Sequence, residues 1–279
     1  NEELVDAYNA HAEQFNHQHQ NAIEQGELKS KPLSSAEFIE KASGIKSRYV
    51  YMKEGVLDID RMRPNIPERT DDELSDQAEM AIYAAKDALK AANKKPEDID
   101  VVIVACAYTQ RSYPALAIEV QGALGIKGFA FDMLVACSAA TFALHRAYEM
   151  IAAGTAKAVL VINPELTSPQ VNYCDRDSHF IFGDVSTAMV VESAVTANSE
   201  HVFEIMSTKA VTQYSNNIRS NFGYVSRAND ADPCAEEKLF HQEGRKVFKE
   251  VCPMAVDHIS EHLARHHLSS KDVSRWWLH

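Results

Sequence analysis

The sequence predicts an α/β fold with largely parallel strands. Short apolar runs typical of buried strands, at 101–106 and 158–162, alternate with longer segments whose apolar residues recur at helical spacing. A chain of 279 residues with 46% hydrophobic and 24% charged residues can bury such a core, as one large domain or two smaller ones. In sheets of this kind, ligands bind at the carboxyl ends of the strands.

The first hundred residues are expected to be mainly helical. Residues 1–33 are polar and helix-prone, which predicts a solvated helix. Residues 34–37 form a capping box that opens a short helix ending at Gly44. Residues 51–75 are charged and contain two prolines, so we expect an exposed excursion. A clear helix follows over 73–92.

The middle of the chain carries the strand–helix alternation. A turn leads into the buried strand 101–106, and a helix over 114–124 closes at Gly125. The predicted elements that follow are a strand running into Cys137, a helix to Gly154, and strands at 158–162 and 187–191.

In the last quarter of the chain, the alternation of strands and helices is predicted to begin again. A strand-like segment begins near residue 204, a polar loop covers 215–235, and helical sequence extends over 236–266. Pro253 is expected to kink or break that helix. Residues 272–279 predict a turn into a strand.

Cys137 lies where the predicted strand gives way to a helix, with small residues following it. Backbone N–H groups and the helix dipole at such a junction favour an anion. We therefore expect a lowered pKa for the Cys137 thiol and a nucleophilic thiolate. The alternative is a buried, inert cysteine.

Composition narrows the class of protein. The net charge of −12 argues against nucleic acid as a main partner, and no apolar run approaches the ~20 residues that span a membrane. The start of the chain has neither a basic flank nor an apolar centre, so we expect no signal peptide. The five scattered cysteines form neither a metal motif nor a disulfide framework, which indicates reduced thiols in a cytoplasmic protein.

The histidines do not predict a metal site. The candidate groups are the pair His17 and His19 and the helical series His258, His262 and His266. The pair has no cysteine or acidic ligand close by, and charged neighbours within the series favour the wet face of an amphipathic helix. There is no P-loop and no dinucleotide fingerprint, so we expect no cofactor.

Four separated motifs, in order, resemble the β-ketoacyl-(acyl carrier protein) synthase III family of the thiolase superfamily. They are EFIEKASGIKSR at 37–48, LGIKGFAFD running into ACSA at 124–139, DR with FGD at 175–184, and EGRKVFK at 243–249 with the final WLH. The resemblance covers the chain from about residue 34 onward. It implies a thiolase-like duplicated α-β-α-β-α layered fold, with the second half incomplete in this chain. Residues 1–200 would form the cysteine-bearing half, and residues 201–279 the start of the C-terminal half.

The resemblance also implies a reaction. In this family a cysteine takes an acyl group from a coenzyme A thioester. Decarboxylation of malonyl-acyl carrier protein then gives a carbanion that attacks the acyl-cysteine. Cys137 matches the nucleophile and His279 the histidine that promotes decarboxylation. An imidazole N–H can serve that step by stabilising the developing enolate oxygen. Coenzyme A enters as a substrate rather than as a cofactor.

Further site residues follow from the same resemblance. Tyr113 matches an aromatic residue that reaches across a homodimer into the partner's acyl pocket. The other substrate-binding candidates are Phe38, Phe182 and Phe248, and the candidates for docking the acidic carrier are Arg245, Lys246 and Lys249. The alternative interpretations are core packing for Tyr113 and a solvated charged face for the three cations.

The sequence also departs from the family pattern. Phe38 and Ala42 stand where housekeeping members often have a tryptophan and an arginine that clasp the adenine of coenzyme A. Residues 168–170 lack another nucleotide-binding arginine, so the donor could be held differently or be carrier-bound. Segments 8–33 and 51–70 resemble insertions and, with small Ala139 and Ala140, indicate a longer acyl primer. The catalytic asparagine and the oxyanion loop are expected beyond His279, and a chain ending there is expected not to turn over.

Three alternative functions stay open. One is acyl transfer to an alcohol or amine without decarboxylation, which differs in releasing no carbon dioxide. Another is a catalytically silent dimer partner or carrier-docking module, in which Cys137 would not acquire an acyl group. A cysteine hydrolase is the third, although the sequence offers no clear third member of a triad.

Overall fold

The computed structural model describes residues 1–221, 232 and 235–279. These residues separate into two compact units, Asn1–Met206 and Ser207–His279, which are described individually. Most of the second half of the predicted 215–235 loop lies outside the described residues. The assignment of 1–200 and 201–279 to two thiolase-like halves stays a prediction.

A four-stranded sheet forms the centre of the first unit. Its strands, in spatial order, are β2 (Phe129–Leu134), β1 (Val101–Cys106), β3 (Ala158–Glu165) and β4 (Val185–Glu192). The first three run parallel, and β4 pairs with β3 in the antiparallel sense. The predicted α/β fold with largely parallel strands is therefore confirmed.

Helices cover both faces of this sheet. The helices of the first unit are α1 (Glu2–Gln18), α2 (Gln20–Glu24), α3 (Ala36–Ser43), α4 (Glu54–Leu57), α5 (Asp76–Ala91), α6 (Leu116–Leu124) and α7 (Ala139–Ala152). On one face, α5 and α6 pack against Val102 and Val104. On the other face, α7 packs against Val101 and Ile103. Strand β1 is thus buried on both sides, which explains its unbroken apolar sequence.

Local signals set the ends of α3. The helix ends at Gly44 as predicted, but its N-cap is Ser35, and the capping box predicted over 34–37 does not form. The Ser35 hydroxyl accepts the N–H of Phe38 at 3.0 Å, which satisfies a backbone donor of the first turn. Gly44 ends the helix in the left-handed region at φ 75°, where a side chain would be strained. These two contacts fix the segment that carries Phe38.

The prediction of a solvated helix for residues 1–33 is wrong for one face of α1. That face is buried against α3 and the 171–180 segment; its buried residues are Leu4, Val5, Tyr8 and Ala12. The buried face could not be predicted from the polar composition of this segment, because its apolar positions are few and their packing partners lie far away in sequence.

The second unit is smaller and contains a short hairpin-like pairing and one long helix. Strand β5 (Ile218–Ser220) pairs antiparallel with β6 (Phe240–Gln242), and α8 spans Gly244–Arg265. The helix starts later than predicted and runs on through Pro253, so the predicted break is wrong. The strands predicted near 204 and at the end of the chain are also wrong. Neither segment pairs with another strand in the described residues, and a strand persists only when its backbone groups are paired.

Within the residues that the structure describes, no helix has the length and apolar character required to cross a lipid bilayer.

Candidate active site

Cys137 lies on a tight turn between β2 and α7. The turn is a 3₁₀ segment, Ala136–Ser138, closed by the Ser138 N–H donating to the Val135 carbonyl at 3.1 Å. Ala136 has φ 46°, in the left-handed region, which costs a residue with a side chain about 1–2 kcal/mol. This strained turn places Cys137 at the carboxyl end of β2, where its side chain is exposed.

The expected lowering of the Cys137 pKa is wrong. Protein atoms packed near the sulfur desolvate it, and the Glu165 carboxylate adds negative charge, so the pKa of the thiol is raised. A backbone hydrogen bond at Cys137 favours the thiolate but does not reverse the direction of the shift. The thiol of the described chain is therefore mostly protonated at neutral pH.

Glu165 is a site residue that sequence reasoning missed. It ends β3, and its two carboxylate oxygens accept the N–H of Ala107, just past the end of β1, at 3.1 and 3.2 Å. Burial raises the pKa of Glu165 itself. The carboxyl ends of three neighbouring strands thus bring together Ala107, Cys137 and Glu165. The sequence feature that could have identified Glu165 is an acidic residue at the end of a buried strand.

Tyr113 is 86% exposed in the segment between β1 and α6. Asp132 on β2 supports that segment, because its carboxylate accepts the N–H groups of Leu116 and Ala117 at 2.9 and 2.8 Å. Burial raises the pKa of Asp132, although these two hydrogen bonds favour its charged form. Asp132 therefore caps the start of α6 and thereby positions the preceding segment, which carries Tyr113.

Phe38 lies in a small aromatic cluster with an arginine. The rings of Phe38 and Phe180 form a T-shaped pair at a centroid distance of 5.9 Å, and the Arg176 guanidinium carbon lies 3.6 Å from the Phe38 centroid. Phe182 is half-buried against the same hydrophobic cluster. The structure thus brings Phe38 and Phe182 to one region. Arg176, quoted only as part of a motif, is a second residue that sequence reasoning missed.

The FGD motif joins this region to the rest of the first unit. The buried carboxylate of Asp184 accepts the N–H groups of Thr167, Ser168 and Tyr51, each at 2.8 Å. A Cβ on Gly183 would lie 2.8 Å from the carbonyl oxygen of Tyr49, closer than side chains tolerate. The motif therefore holds neighbouring backbone segments together and has a structural rather than a catalytic role.

The remaining predicted site residues belong to the second unit. His279 is exposed at the end of the described chain, and Phe248 is 69% exposed on α8. The three candidate docking cations, Arg245, Lys246 and Lys249, are exposed on the first two turns of the same helix. Lys246 forms an ion pair with Glu243 and thereby lowers the pKa of that carboxyl group. Phe248 and these cations share one end of α8.

The histidine series on α8 contacts the start of the second unit. The Ser207 hydroxyl lies 2.7 Å from Nε2 of His262 and 2.6 Å from Nε2 of His266. Nε2 of His258 lies 3.1 Å from the Lys209 carbonyl oxygen. No group of three or more potential metal ligands converges within the described residues. The series therefore makes hydrogen bonds within its unit.

Known proteins with similar sequences support one family. The model of the 3-oxoacyl-[acyl-carrier-protein] synthase III family matches residues 131–212. The chain is 53% identical, over 275 residues, to a protein of Pseudomonas aeruginosa called beta-ketodecanoyl-[acyl-carrier-protein] synthase; the match covers 99% of this chain and 79% of that one. It is 35% identical over 199 residues to a beta-ketoacyl-[acyl-carrier-protein] synthase III of Brucella anthropi, covering 70% of this chain and 59% of that one.

Solved structures agree. The synthase III structure from Aquifex aeolicus superposes with a TM-score of 0.61 at 30% identity, covering 76% of this chain and 62% of that one. The priming β-ketosynthase of the R1128 polyketide pathway gives a TM-score of 0.66 at 23% identity, covering 86% and 64%, and supports the fold alone. The sheet topology together with these relatives places the chain in the class of condensing enzymes that have the thiolase-like fold. The chain belongs to the 3-oxoacyl-[acyl-carrier-protein] synthase III family, the acyltransferases that condense acyl groups in fatty acid biosynthesis.

Proposed function

We propose that the protein extends an acyl primer by two carbons on an acyl carrier protein. The Cys137 thiolate attacks the carbonyl of an acyl-coenzyme A; the carbon–sulfur bond to coenzyme A breaks, and coenzyme A leaves as its thiolate. Malonyl-acyl carrier protein then loses carbon dioxide, and the enolate attacks the acyl-cysteine. A carbon–carbon bond forms, and the Cys137 thiolate departs. The observation that carries this proposal is the exposed cysteine on its strained turn in a chain of this family.

The primer is proposed to be a medium-length acyl chain. The Pseudomonas aeruginosa relative is named for a ten-carbon β-ketoacyl product. Because malonyl condensation adds two carbons, a ten-carbon product requires an eight-carbon primer. Ala139 and Ala140, directly after the nucleophile, leave room for a longer chain than bulky residues would. We therefore expect octanoyl-coenzyme A to be the preferred donor.

Several residues receive proposed roles in this reaction. His279 would donate an imidazole N–H to the enolate oxygen formed by decarboxylation. Phe38 would contact the donor, where Arg176 adds a cation, and the half-buried Phe182 would act from the same cluster. Phe248, with Arg245, Lys246 and Lys249, would form the surface for the acidic carrier, supported by their shared exposure on α8. Residues 1–200 and 201–279 would belong to the two thiolase-like halves.

We also propose a homodimer formed along β2. In the part of the chain that the structure describes, this strand lies at the edge of the sheet, and it exposes Phe129 (45%) and Leu134 (59%) near a neighbouring helix that exposes Ile118 (48%). An unpaired apolar edge favours association with an identical edge. The exposed Tyr113 would then enter the acyl pocket of the partner subunit. A cytoplasmic location fits a mechanism that needs Cys137 as a free thiol.

The test is the intact mass of the protein after incubation with saturated acyl-coenzyme A thioesters of two to twelve carbons. We expect a mass gain of one acyl group, largest with octanoyl, that is absent in Cys137→Ala. Cys252→Ala, which removes another exposed cysteine, is the matched control and should acylate normally. Carbon dioxide release from malonyl-acyl carrier protein then separates condensation from acyl transfer to an alcohol or amine. No gain with any donor would contradict the proposed use of acyl-coenzyme A and leave either a carrier-bound donor or a silent binding partner.

A further inference from the structure

Helix α1 holds an extended segment of the chain through two asparagine side chains. The side chain of Asn9 donates to the Ser34 carbonyl at 3.1 Å and accepts the Ser34 N–H at 2.8 Å. Asn16 does the same with Lys31, at 2.9 and 2.8 Å. Between these pairs, the Tyr8 hydroxyl donates to the carbonyl of Pro32 at 2.9 Å. Residues 31–34 are called the linking segment below.

The spacing of the two pairs sets a unique register. Asn9 and Asn16 are two helical turns apart, roughly 10.5 Å along the axis. Lys31 and Ser34 are three residues apart, roughly 10 Å in extended chain. Because these lengths match, both amides bond at once only when α1 and the linking segment run in opposite directions with this alignment.

The other side of the linking segment contacts the 174–176 turn. The Lys31 ammonium donates to the Cys174 carbonyl at 2.8 Å. The Leu33 carbonyl accepts the Nε–H of Arg176 at 2.7 Å. The position of Arg176 therefore depends, through the linking segment, on the position of α1.

Arg176 is held at two points by groups that depend on this segment. Its Nε–H is bonded to Leu33, and its guanidinium lies 3.6 Å from the ring centroid of Phe38, on the helix that begins directly after the segment. The arginine side chain is still 27% exposed. Nη1 of Arg176 also lies 3.4 Å from the exposed carboxylate of Asp177. The remaining N–H donors of the guanidinium, next to an aromatic ring, suit a ligand that is both anionic and aromatic.

We propose that Asn9 and Asn16 are positioning residues for the acyl donor, acting through the linking segment on Arg176 and Phe38. The proposal rests on the proposed function, in which Phe38 contacts the coenzyme A donor. Helix α1 then sets the affinity for the nucleotide part of that donor. It leaves the chemistry at Cys137 unchanged, because neither asparagine contacts the turn at 136–138.

The experiment compares the parent with Asn9→Ala/Asn16→Ala and uses octanoyl-coenzyme A and octanoyl-pantetheine as donors. The second donor carries the same thioester without the nucleotide. We expect the octanoyl-coenzyme A concentration that half-saturates acylation of Cys137 to rise on the order of tenfold, with the maximal acylation rate and the half-saturating concentration of octanoyl-pantetheine nearly unchanged. Asn21→Ala, which removes an exposed asparagine from α2, is the matched control and should behave as the parent.

Two further measurements distinguish a loss of donor binding from misfolding of the variant and from a failure of the proposed function. Circular dichroism checks that the double variant is folded; if it is not, Asn16→Asp, which retains the acceptor for the Lys31 N–H, replaces it. Calorimetric titration with coenzyme A alone reports nucleotide binding even if no condensation occurs. Equal binding of coenzyme A by parent and folded variant would overturn the proposal, as would equal increases of the half-saturating concentration for both donors. Lack of acylation in the parent would contradict only the proposed function.

Discussion

Gln77 and Gln110 form a reciprocal pair in which each side-chain carbonyl accepts the backbone N–H of the other residue, at 2.8 and 3.1 Å. Gln77 is buried, and its amide also donates to the carbonyls of Tyr108 and Pro164 at 2.7 and 2.6 Å. The amide of Gln110 donates to Asp76 at 3.0 Å. The loop that leads from β1 to Tyr113 is thereby fastened to the start of α5 and the end of β3.

Replacing Gln110 by Ala should loosen this loop. The substitution removes two side-chain hydrogen bonds and leaves the N–H of Gln77 and one oxygen of Asp76 without this partner, so we expect a loss of about 1–3 kcal/mol in the free energy of unfolding. Because Tyr113 lies three residues further on, the range of accepted primer lengths should also broaden. Urea unfolding and the acylation profile measure the two effects. Gln25→Ala, at an exposed glutamine directly after α2, is the control. An unchanged profile at reduced stability would show that the loop does not position Tyr113.

Glu165 should control the reactivity of Cys137. Desolvation and the Glu165 charge both raise the pKa of the thiol, so the thiolate fraction, and with it the alkylation rate, grows as the pH rises above neutrality. Glu165→Gln removes only the charge. We expect the pH profile of iodoacetamide alkylation at Cys137 to shift to lower pH and the rate at pH 7 to rise several-fold. Peptide mapping separates Cys137 from the exposed Cys252, whose profile should stay the same. Identical profiles for Cys137 in the parent and the variant would exclude this role.

The sequence predicted those features that depend on neighbouring residues. Strand β1 was recognisable because both of its faces are buried, and α3 because Ser35 and Gly44 are local capping signals. The position of Cys137 at a strand-to-helix turn followed from the same local pattern. Such features need no knowledge of distant contacts.

Features that depend on distant residues could not be predicted. The amides of Asn9 and Asn16 looked like solvated polar groups, although their partners lie 25 and 15 residues away. The pKa of Cys137 is raised rather than lowered because of desolvation by packed protein atoms and the charge of Glu165 on another strand, neither of which the local sequence reveals. The final strand predicted over 272–279 failed for a related reason, since strand pairing is decided by neighbours that the local sequence does not reveal.

The proposed dimer predicts that a charge on the edge strand weakens association. Phe129→Lys places an ammonium group on β2, where the ring of Phe129 now stacks with Phe131 at a centroid distance of 6.4 Å. Paired edges would then bring two such charges together and desolvate them, which is unfavourable. We expect sedimentation velocity to show a dimer for the parent and mainly monomer for the variant. Tyr83→Lys alters an aromatic residue that is 73% exposed on α5 and should leave the dimer intact. A dimeric Phe129→Lys protein would rule out this interface.

His179 should make the first unit less stable in acid. Its ring is fully buried, stacks on Tyr8 at a centroid distance of 4.6 Å, and donates from Nδ1 to the carbonyl of Arg176 at 2.8 Å. Burial lowers the pKa of His179 to about 4, below the ordinary value of about 6.5 that it regains on unfolding. Between these values the unfolded chain binds more protons, so stability must decrease as the pH falls from 6.5 to 4. The contribution of this residue over that window is up to about 3 kcal/mol.

Urea unfolding of the parent and His179→Gln between pH 4.5 and 7.5 measures this contribution. The variant should be less stable at pH 7.5, because it loses the stacked ring, but its free energy of unfolding should depend less on pH. The two curves should therefore approach each other as the pH falls. His17→Gln, at an exposed histidine of α1, should follow the parent curve throughout. Parallel curves for the parent and His179→Gln would mean that His179 is not held neutral by burial, and that the acid sensitivity arises elsewhere.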